Sequence, residues 1–200
     1  MAASAAVDHA HETTTGLNHR KMLMWLFLGS DCLFFGSLIS TYMVYRGKSL
    51  AGTPTPHGVF NIPYTSVSAF VLLMSSLAMV LALAAIQCGD KRRMRIWLLA
   101  TAFLGMTFLA GQYYEFTTFV HVEGLSLSRN VFGTTFFVLT GFHGAHVTIG
   151  VIWLLSIFVL SFTGRIEQKN SLDVEIAGLY WHFVDIVWII IFTLVYLVPV

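Results

Sequence analysis

Long apolar runs separated by short polar stretches dominate this chain. Five such runs are recognisable, at residues 22–45, 64–88, 96–120, 131–162 and 174–198. An α-helix rises about 1.5 Å per residue, so about 20 residues cross a hydrocarbon core of about 30 Å, and each run is long enough to do so. The pattern therefore predicts an all-α integral membrane protein, a bundle of five transmembrane helices.

The stretches between the runs predict where the helices end. A loop rich in Gly, Pro and Thr at 47–63 breaks the first helix, and a short basic turn at 89–95 separates the second run from the third. Residues 1–20 are small and polar and lack the basic start and apolar centre of a signal peptide. We expect them to form a flexible tail ahead of a single membrane domain at 21–200.

Composition supports a membrane class and excludes others. The chain is 56% hydrophobic and 10% charged, whereas soluble domains carry about 25% charged residues. Its net charge is +1, and no basic cluster with interleaved aromatic residues suggests nucleic acid. Cys32 and Cys88 form no metal or disulfide pattern, and we expect them to be buried free thiols.

The distribution of Lys and Arg predicts the orientation in the membrane. One set of flanks, comprising the N-terminal flank and the second and fourth loops, carries eight of them: Arg20, Lys21, Lys91, Arg92, Arg93, Arg95, Arg165 and Lys169. The other set carries three: Arg46, Lys48 and Arg129. Because cytoplasmic flanks are enriched in Lys and Arg, the N-terminus is predicted to be cytoplasmic and the C-terminus outside.

One acidic residue interrupts the first run. Asp31 follows Lys21 by ten residues, about 15 Å along a helix, and therefore lies near mid-membrane. Charged groups at this depth are costly and usually face protein or water. Asp31 is either a proton-exchanging group in an internal groove or a protonated acid bonded to a neighbouring helix.

Two histidines stand at the centre of the fourth run. His143 and His146 lie on one helical face, beside glycines that allow close approach of another backbone or a ligand. Haem ligation in a bundle needs histidines from facing helices, and zinc needs three or four converging ligands. No Cys or carboxylate motif completes either site with His182, so no metal is predicted on this chain.

The fifth and third runs carry the other intramembrane polar residues. His182 and Asp185 of the fifth run are three residues apart and share a helical face, so a mutual hydrogen bond is open to them. This polar seam either fixes helix packing or handles lipid headgroups or protons. Glu115, near the end of the third run, is expected to lie near the outer surface, where it is readily solvated and can anchor an interhelical bond or a partner contact.

Four strings resemble one family, subunit III of haem–copper terminal oxidases. In chain order they are LFLGSDCLFFGSLIST, QYYEF, FFVLTGFHGAHVTIGVIW and YWHFVDIVWIIIFTLVYL. The last two are long and specific, and the similarity spans residues 22–200. Five runs match the short bacterial form of the subunit, which lacks two leading helices.

The resemblance implies a function that composition does not show. It implies a non-catalytic subunit with no active site of its own, which stabilises the catalytic subunit I, binds phospholipid and supports proton uptake in aerobic electron transport. The partners would be subunits I and II, phospholipid and, as a further candidate, a larger respiratory supercomplex. The enzyme would be a proton-translocating cytochrome c oxidase of the bacterial inner membrane, with haem and copper in the partner subunits.

By motif, the resemblance also assigns residues. Asp31 occupies the place of a buried carboxylate that is glutamate in many cytochrome c oxidases. The family's intramembrane polar seam is matched by His143, His146, Trp181, His182 and Asp185.

Several alternatives remain open at this point. The Ser30-Asp31-Cys32 setting looks like the quinol oxidase branch, so quinol is a second candidate donor. A second alternative within the family is the small subunit-III-like protein associated with nitric oxide reductases. A small transporter using Asp31 and Asp185 is less favoured because the sequence shows no inverted repeat. A membrane cytochrome b would use the three histidines as ligands.

Overall fold

The computed structural model describes residues 18–46, 62–121, 131–166, 168 and 171–198, and five helices long and apolar enough to span a membrane lie within them. The predicted all-α bundle of five transmembrane helices is confirmed. Residues 1–17 of the predicted tail and the loop residues 47–61 lie outside the described residues. The helices are α1 (His19–Tyr45), α2 (Ile62–Gln87), α3 (Lys91–His121), α4 (Val131–Leu160) and α5 (Ser171–Ile191).

Two helices end in a change of helical type. A short 3₁₀ turn, Ser161–Thr163, follows α4 and ends at Gly164, whose φ of 77° is left-handed. The π-helical turn Phe192–Leu197 continues α5.

Capping explains why α3 begins earlier than the apolar run suggested. The Asp90 side chain accepts a hydrogen bond from the backbone N–H of Arg93 at 3.0 Å, the geometry of a helix N-cap. Gly89, with φ of 80°, reverses the chain directly after α2. The basic residues therefore stand on the first turn of α3, which starts at Lys91, and the connection between α2 and α3 is very short.

The helices do not all pack against their neighbours in sequence. The chain runs up and down, with α2 against α3 and α3 against α4, while α5 packs against α1, α2 and α4. The main contacts of α1 are with α4 and α5. α5 is consequently the most enclosed helix, and α1 is the least.

Ion pairs join α1 to α5 at the end of the bundle that carries Arg20 and Lys21, which we call the basic end. Arg20 Nη2 lies 2.6 Å from Asp173 Oδ1, and Lys21 Nζ contacts Glu175 Oε1. Exposed pairs of this kind contribute little, about 0–1 kcal/mol each. Their main effect is to fix the position of the start of α1 against the first two turns of α5.

An arginine joins the same two helices at the opposite end. Arg46, directly after α1, donates hydrogen bonds to the carbonyl oxygens of Leu194 and Val198 at 3.2 and 3.3 Å. Both acceptors belong to the π-helical end of α5 or follow it, where Val198 N–H bonds back to Thr193 O. Charged donors satisfy carbonyls that a helix C-terminus leaves unpaired. The two helices are thus tied at both ends.

Trp181 is the centre of the packing. Its side chain is fully buried, and its indole Nε1 donates to Ser75 Oγ of α2 at 2.9 Å. The ring lies between Gly105 of α3 and Gly150 of α4, where an added Cβ would meet it at 2.6 and 2.9 Å. One side chain of α5 therefore contacts α2, α3 and α4, and the two glycines make room for it.

The exposed surface corrects one expectation. Cys32 and Cys88 are both exposed, not buried. Large apolar side chains are exposed as well, among them Leu26 and Leu33, each nearly four-fifths accessible. The exterior of a membrane bundle is as apolar as its interior, so an apolar neighbourhood in sequence does not indicate burial.

A glycine substitution tests the Trp181 packing. We expect Gly105→Ala to destabilise the bundle by about 1–3 kcal/mol, the usual cost of overpacking, because the new methyl would displace the indole from Ser75. Gly141→Ala is the matched control, since an added Cβ there meets nothing within 4 Å. Thermal unfolding in detergent measures both variants, and equal stability of the two would contradict the packing role.

Candidate functional site: the intramembrane polar residues

The intramembrane polar residues do not form one cluster. The structure divides them among three interhelical groups and one aromatic stack. Asp31 meets His146, His182 and Trp181 bond to α2, Glu115 joins three helices, and His143 stacks on Trp188.

Asp31 of α1 and His146 of α4 form a pair. Asp31 Oδ2 lies 3.2 Å from His146 Nε2, and both side chains are about one-seventh exposed. His146 Nδ1 lies 2.8 Å from the carbonyl oxygen of Phe142 in the preceding turn. A carbonyl can only accept, so Nδ1 carries a hydrogen and Nε2 faces the carboxyl.

The tautomer fixes which atom of His146 meets Asp31. Nε2 faces the carboxyl oxygen Oδ2 across 3.2 Å, but this contact lacks hydrogen-bond geometry, and Oδ2 has no hydrogen-bond partner among the described residues. The pair is therefore a close polar contact between α1 and α4. Facing a polar group of another helix lowers the cost of keeping each side chain inside a membrane.

Neighbouring aromatic residues hold the pair in place. The Phe35 ring packs edge-on against the His146 ring, with centroids 5.0 Å apart. Tyr180 of α5 donates from its hydroxyl to the His146 carbonyl oxygen at 3.0 Å. The pair therefore lies where α1, α4 and α5 meet, with part of each side chain still accessible.

His182 bonds to α2 rather than to Asp185. Its Nδ1 lies 2.6 Å from Ser76 Oγ. Asp185 is 3% exposed, and its two carboxyl oxygens have no hydrogen-bond partner among the described residues, although the Ser76 side chain lies close enough to interact with it. The mutual bond that the spacing of His182 and Asp185 allows is therefore not formed.

Sequence reasoning missed the partners on α2. Ser75 bonds Trp181, and Ser76 bonds His182, so α2 supplies the acceptor or donor for two residues of the seam. The available signal was their position, because they are an adjacent polar pair within residues 69–86, which are otherwise apolar.

Glu115 is buried, which corrects the expectation that it is readily solvated. It is 7% exposed, and it accepts hydrogen bonds from Thr65 Oγ1 at 2.7 Å and from the Tyr196 hydroxyl at 3.4 Å. Tyr196 lies in the π-helical turn of α5 and Thr65 on α2. Glu115 therefore anchors an interhelical hydrogen bond, which was one of the two roles predicted for it. It does so inside the protein and not at a solvated surface.

The three histidines face different helices. His146 meets α1, His182 meets α2, and His143 is enclosed by Phe35, Phe108 and Trp188. Within the described residues, no group of three or more His, Cys, Asp or Glu side chains is placed to hold a metal ion. The arrangement does not supply the facing pair of histidines that a membrane cytochrome b needs.

Comparisons with known proteins place this bundle in a family. A family model described as cytochrome c oxidase subunit III matches residues 1–199. A cytochrome c oxidase subunit 3 of Bacillus sp. (strain PS3) is 37% identical over 192 residues, covering 96% of this chain and 91% of the relative.

Quinol-type relatives are about as similar. The quinol oxidase subunit 3 of Bacillus subtilis is 38% identical over 173 residues, covering 86% of this chain and 84% of the relative. The cytochrome bo(3) ubiquinol oxidase subunit 3 of Pseudomonas aeruginosa is 36% identical over 190 residues, covering 95% and 88%. The resemblance seen in the four sequence strings is confirmed, and the chain belongs to the cytochrome c oxidase subunit III family.

Proposed function

We propose that this protein is the accessory subunit III of a respiratory haem–copper oxidase and carries no active site of its own. The observation that supports this proposal is the match of the cytochrome c oxidase subunit III family model to residues 1–199. Family membership makes the chain part of a terminal oxidase complex. Haem and copper then belong to the partner subunits, and this chain stabilises subunit I, contacts subunit II or a larger supercomplex, and supports proton uptake.

The surface of α1 and α4 supports binding of a partner or of phospholipid. Large apolar side chains of α1 are exposed, and an added Cβ at Gly29 or Gly36 would meet nothing within 4 Å. A shallow groove of ≈ 280 Å³ lies along α4, lined by Phe137, Val138, Gly141, Phe142 and Ala145. Its apolar lining suits a phospholipid acyl chain, and α1 offers a face for a helix of subunit I.

The Asp31–His146 pair supports a role in proton uptake. It places a carboxyl and an imidazole 3.2 Å apart within the membrane span, and neither side chain is fully enclosed by this chain. Each of the two groups can bind a proton, and proton exchange requires in addition a route from the pair to water in the assembled complex. The competing role is interhelical packing, and the variants below separate the two.

The positive-inside pattern supports a cytoplasmic N-terminus and an external C-terminus. Arg20, Lys21, Lys91, Arg92 and Arg93 stand together at the basic end, which the pattern assigns to the cytoplasmic face of the inner membrane.

The electron donor of the complex is proposed to be cytochrome c, with quinol as the alternative. The family description names cytochrome c oxidase, while relatives of both kinds are similarly identical to this chain. The aspartate in Ser30-Asp31-Cys32 favours the quinol branch. A nitric-oxide-reductase-associated subunit is distinguished by the partner that co-purifies, and a transporter is disfavoured because α1 to α4 are unbroken within the described residues.

Co-purification tests the proposal as a whole. We expect the tagged chain, extracted in mild detergent, to retain a large haem-containing subunit, so that a reduced-minus-oxidised visible spectrum of the eluate shows haem bands. After partners are stripped, those bands should leave with the large subunit. Haem that stays with the 22.3 kDa chain would overturn the accessory role, and absence of haem from both samples would favour a transporter.

Asp31→Asn separates proton exchange from packing. Asparagine has nearly the same shape and its amide can donate to His146 Nε2, so a polar contact between α1 and α4 is kept while the ionisable carboxyl is lost. If Asp31 supports proton uptake, we expect steady-state oxygen reduction to slow several-fold, or activity to decay faster during turnover. Ser30→Ala, at an exposed neighbouring position whose hydroxyl bonds only within α1, is the control. Wild-type kinetics in Asp31→Asn would leave Asp31 a packing residue.

Thiol labelling tests the orientation. Because Cys32 and Cys88 are exposed, both are first replaced by Ser, and one cysteine is then placed at Arg93 or at His121 at the opposite end. We expect Arg93→Cys to resist a membrane-impermeant thiol reagent in intact cells and to react after permeabilisation, whereas His121→Cys reacts in intact cells. The reverse pattern would invert the topology.

A further inference from the structure

His143 is the most enclosed polar side chain of α4. It is fully buried, and its ring stacks on the Trp188 indole with centroids 4.9 Å apart and an interplanar angle of 25°. Phe108 and Phe35 close the other sides edge-on, at 5.9 and 6.5 Å. The imidazole therefore lies in an aromatic box between α1, α3 and α5.

Both ring nitrogens of His143 need a partner in every protonation state. A neutral imidazole has one N–H donor and one lone-pair acceptor, and a charged imidazole has two donors. Among the described residues, neither Nδ1 nor Nε2 has a hydrogen-bond partner. An unpaired buried donor or acceptor costs about 1–3 kcal/mol of folding free energy. Two of them on one ring would take up a large part of the small net stability of a protein.

Trp188, which stacks on His143, also has an unpaired polar group. Its indole Nε1 is buried and has no acceptor among the described residues. Because the two rings are nearly parallel, the indole N–H points alongside the imidazole and not into its lone pair, so a direct hydrogen bond between them does not form. One donor on α5 and the ring nitrogens on α4 are left next to each other without a protein partner.

We propose that the bundle centre contains an internal water site shared by His143 and Trp188. The shared water accepts from the indole N–H and bonds one imidazole nitrogen, and a second water bonds the other nitrogen. Because water has both donors and acceptors, it serves either tautomer. A metal ion is disfavoured because no converging group of ligands exists within the described residues. A lipid headgroup is disfavoured because both side chains are at most 2% exposed.

A neighbouring carboxyl extends the hydrated region. Asp185 stands one turn before Trp188 on the same face of α5, and both of its oxygens lack hydrogen-bond partners in the described part of the chain. Further water at Asp185 would continue the site toward Ser76 and His182. The inference stands on the geometry of these helices and does not depend on the proposed oxidase role.

A high-resolution density map of the complete complex in which the chain is purified tests the site directly. We expect a water peak at hydrogen-bonding distance, about 2.7–3.2 Å, from Trp188 Nε1 or a His143 ring nitrogen. The idea is overturned by empty density in a map that resolves other internal water, or by a protein atom that bonds these nitrogens instead.

Ultraviolet resonance Raman spectroscopy tests it in solution. The indole N–H hydrogen-bond band of Trp188 is isolated as the difference between wild type and Trp188→Phe. Trp25→Phe, at a 57% exposed position, provides the matched control difference. We expect a hydrogen-bonded indole in wild type and a weaker bond in His143→Phe, because the water loses a partner.

Two Raman results would count against the site. A free indole N–H in wild type would mean that Trp188 has no water partner, and an unchanged band in His143→Phe would mean that the two residues do not share one. If either variant fails to assemble, the wild-type density map decides the matter alone.

Discussion

The wedge that Trp181 makes between two glycines is the constraint on which this bundle depends. Lipid tails are as apolar as leucine, so helices in a membrane are held by close packing and by hydrogen bonds rather than by exclusion from water. Trp181 provides both, because its ring fills the space left by Gly105 and Gly150 and its N–H bonds Ser75. A single residue of α5 thereby sets the positions of α2, α3 and α4.

The polar seam follows from the same requirement. A polar side chain inside a bilayer must find a partner or lose free energy, and the partners found here are on other helices. His182 reaches α2, Glu115 reaches α2 and α5, and Asp31 reaches α4. Each such contact disfavours other rotations of the helix about its axis, because turning the helix would leave its polar group facing lipid. Specific packing and candidate proton chemistry therefore come from the same residues.

The first helix occupies a distinct position in this arrangement. It is tied to α5 by ion pairs at the basic end and by Arg46 at the opposite end, and to α4 by the Asp31–His146 pair between them. Between these attachments its apolar surface is largely open. A helix that is attached in this way can offer a broad face to another subunit or to lipid while its internal carboxyl stays enclosed, which suits an accessory subunit that acts on its neighbour.

The sequence by itself determined the number, length and class of the helices, since about 20 apolar residues in a row have few alternatives to crossing a membrane. It also determined the family, because two long strings carry the resemblance. The cost of a polar group at membrane depth indicated that Asp31, His146 and His182 face protein or water rather than lipid, but this argument does not identify the helix opposite. Only the tertiary structure decided that His182 meets Ser76 rather than Asp185, that Glu115 is enclosed, and that Cys32 is exposed. The physical reason is that each outcome depends on how separate helices rotate and pack against one another. In a membrane protein the outer face of a helix is apolar too, so the sequence carries no regular polar face from which these rotations can be read.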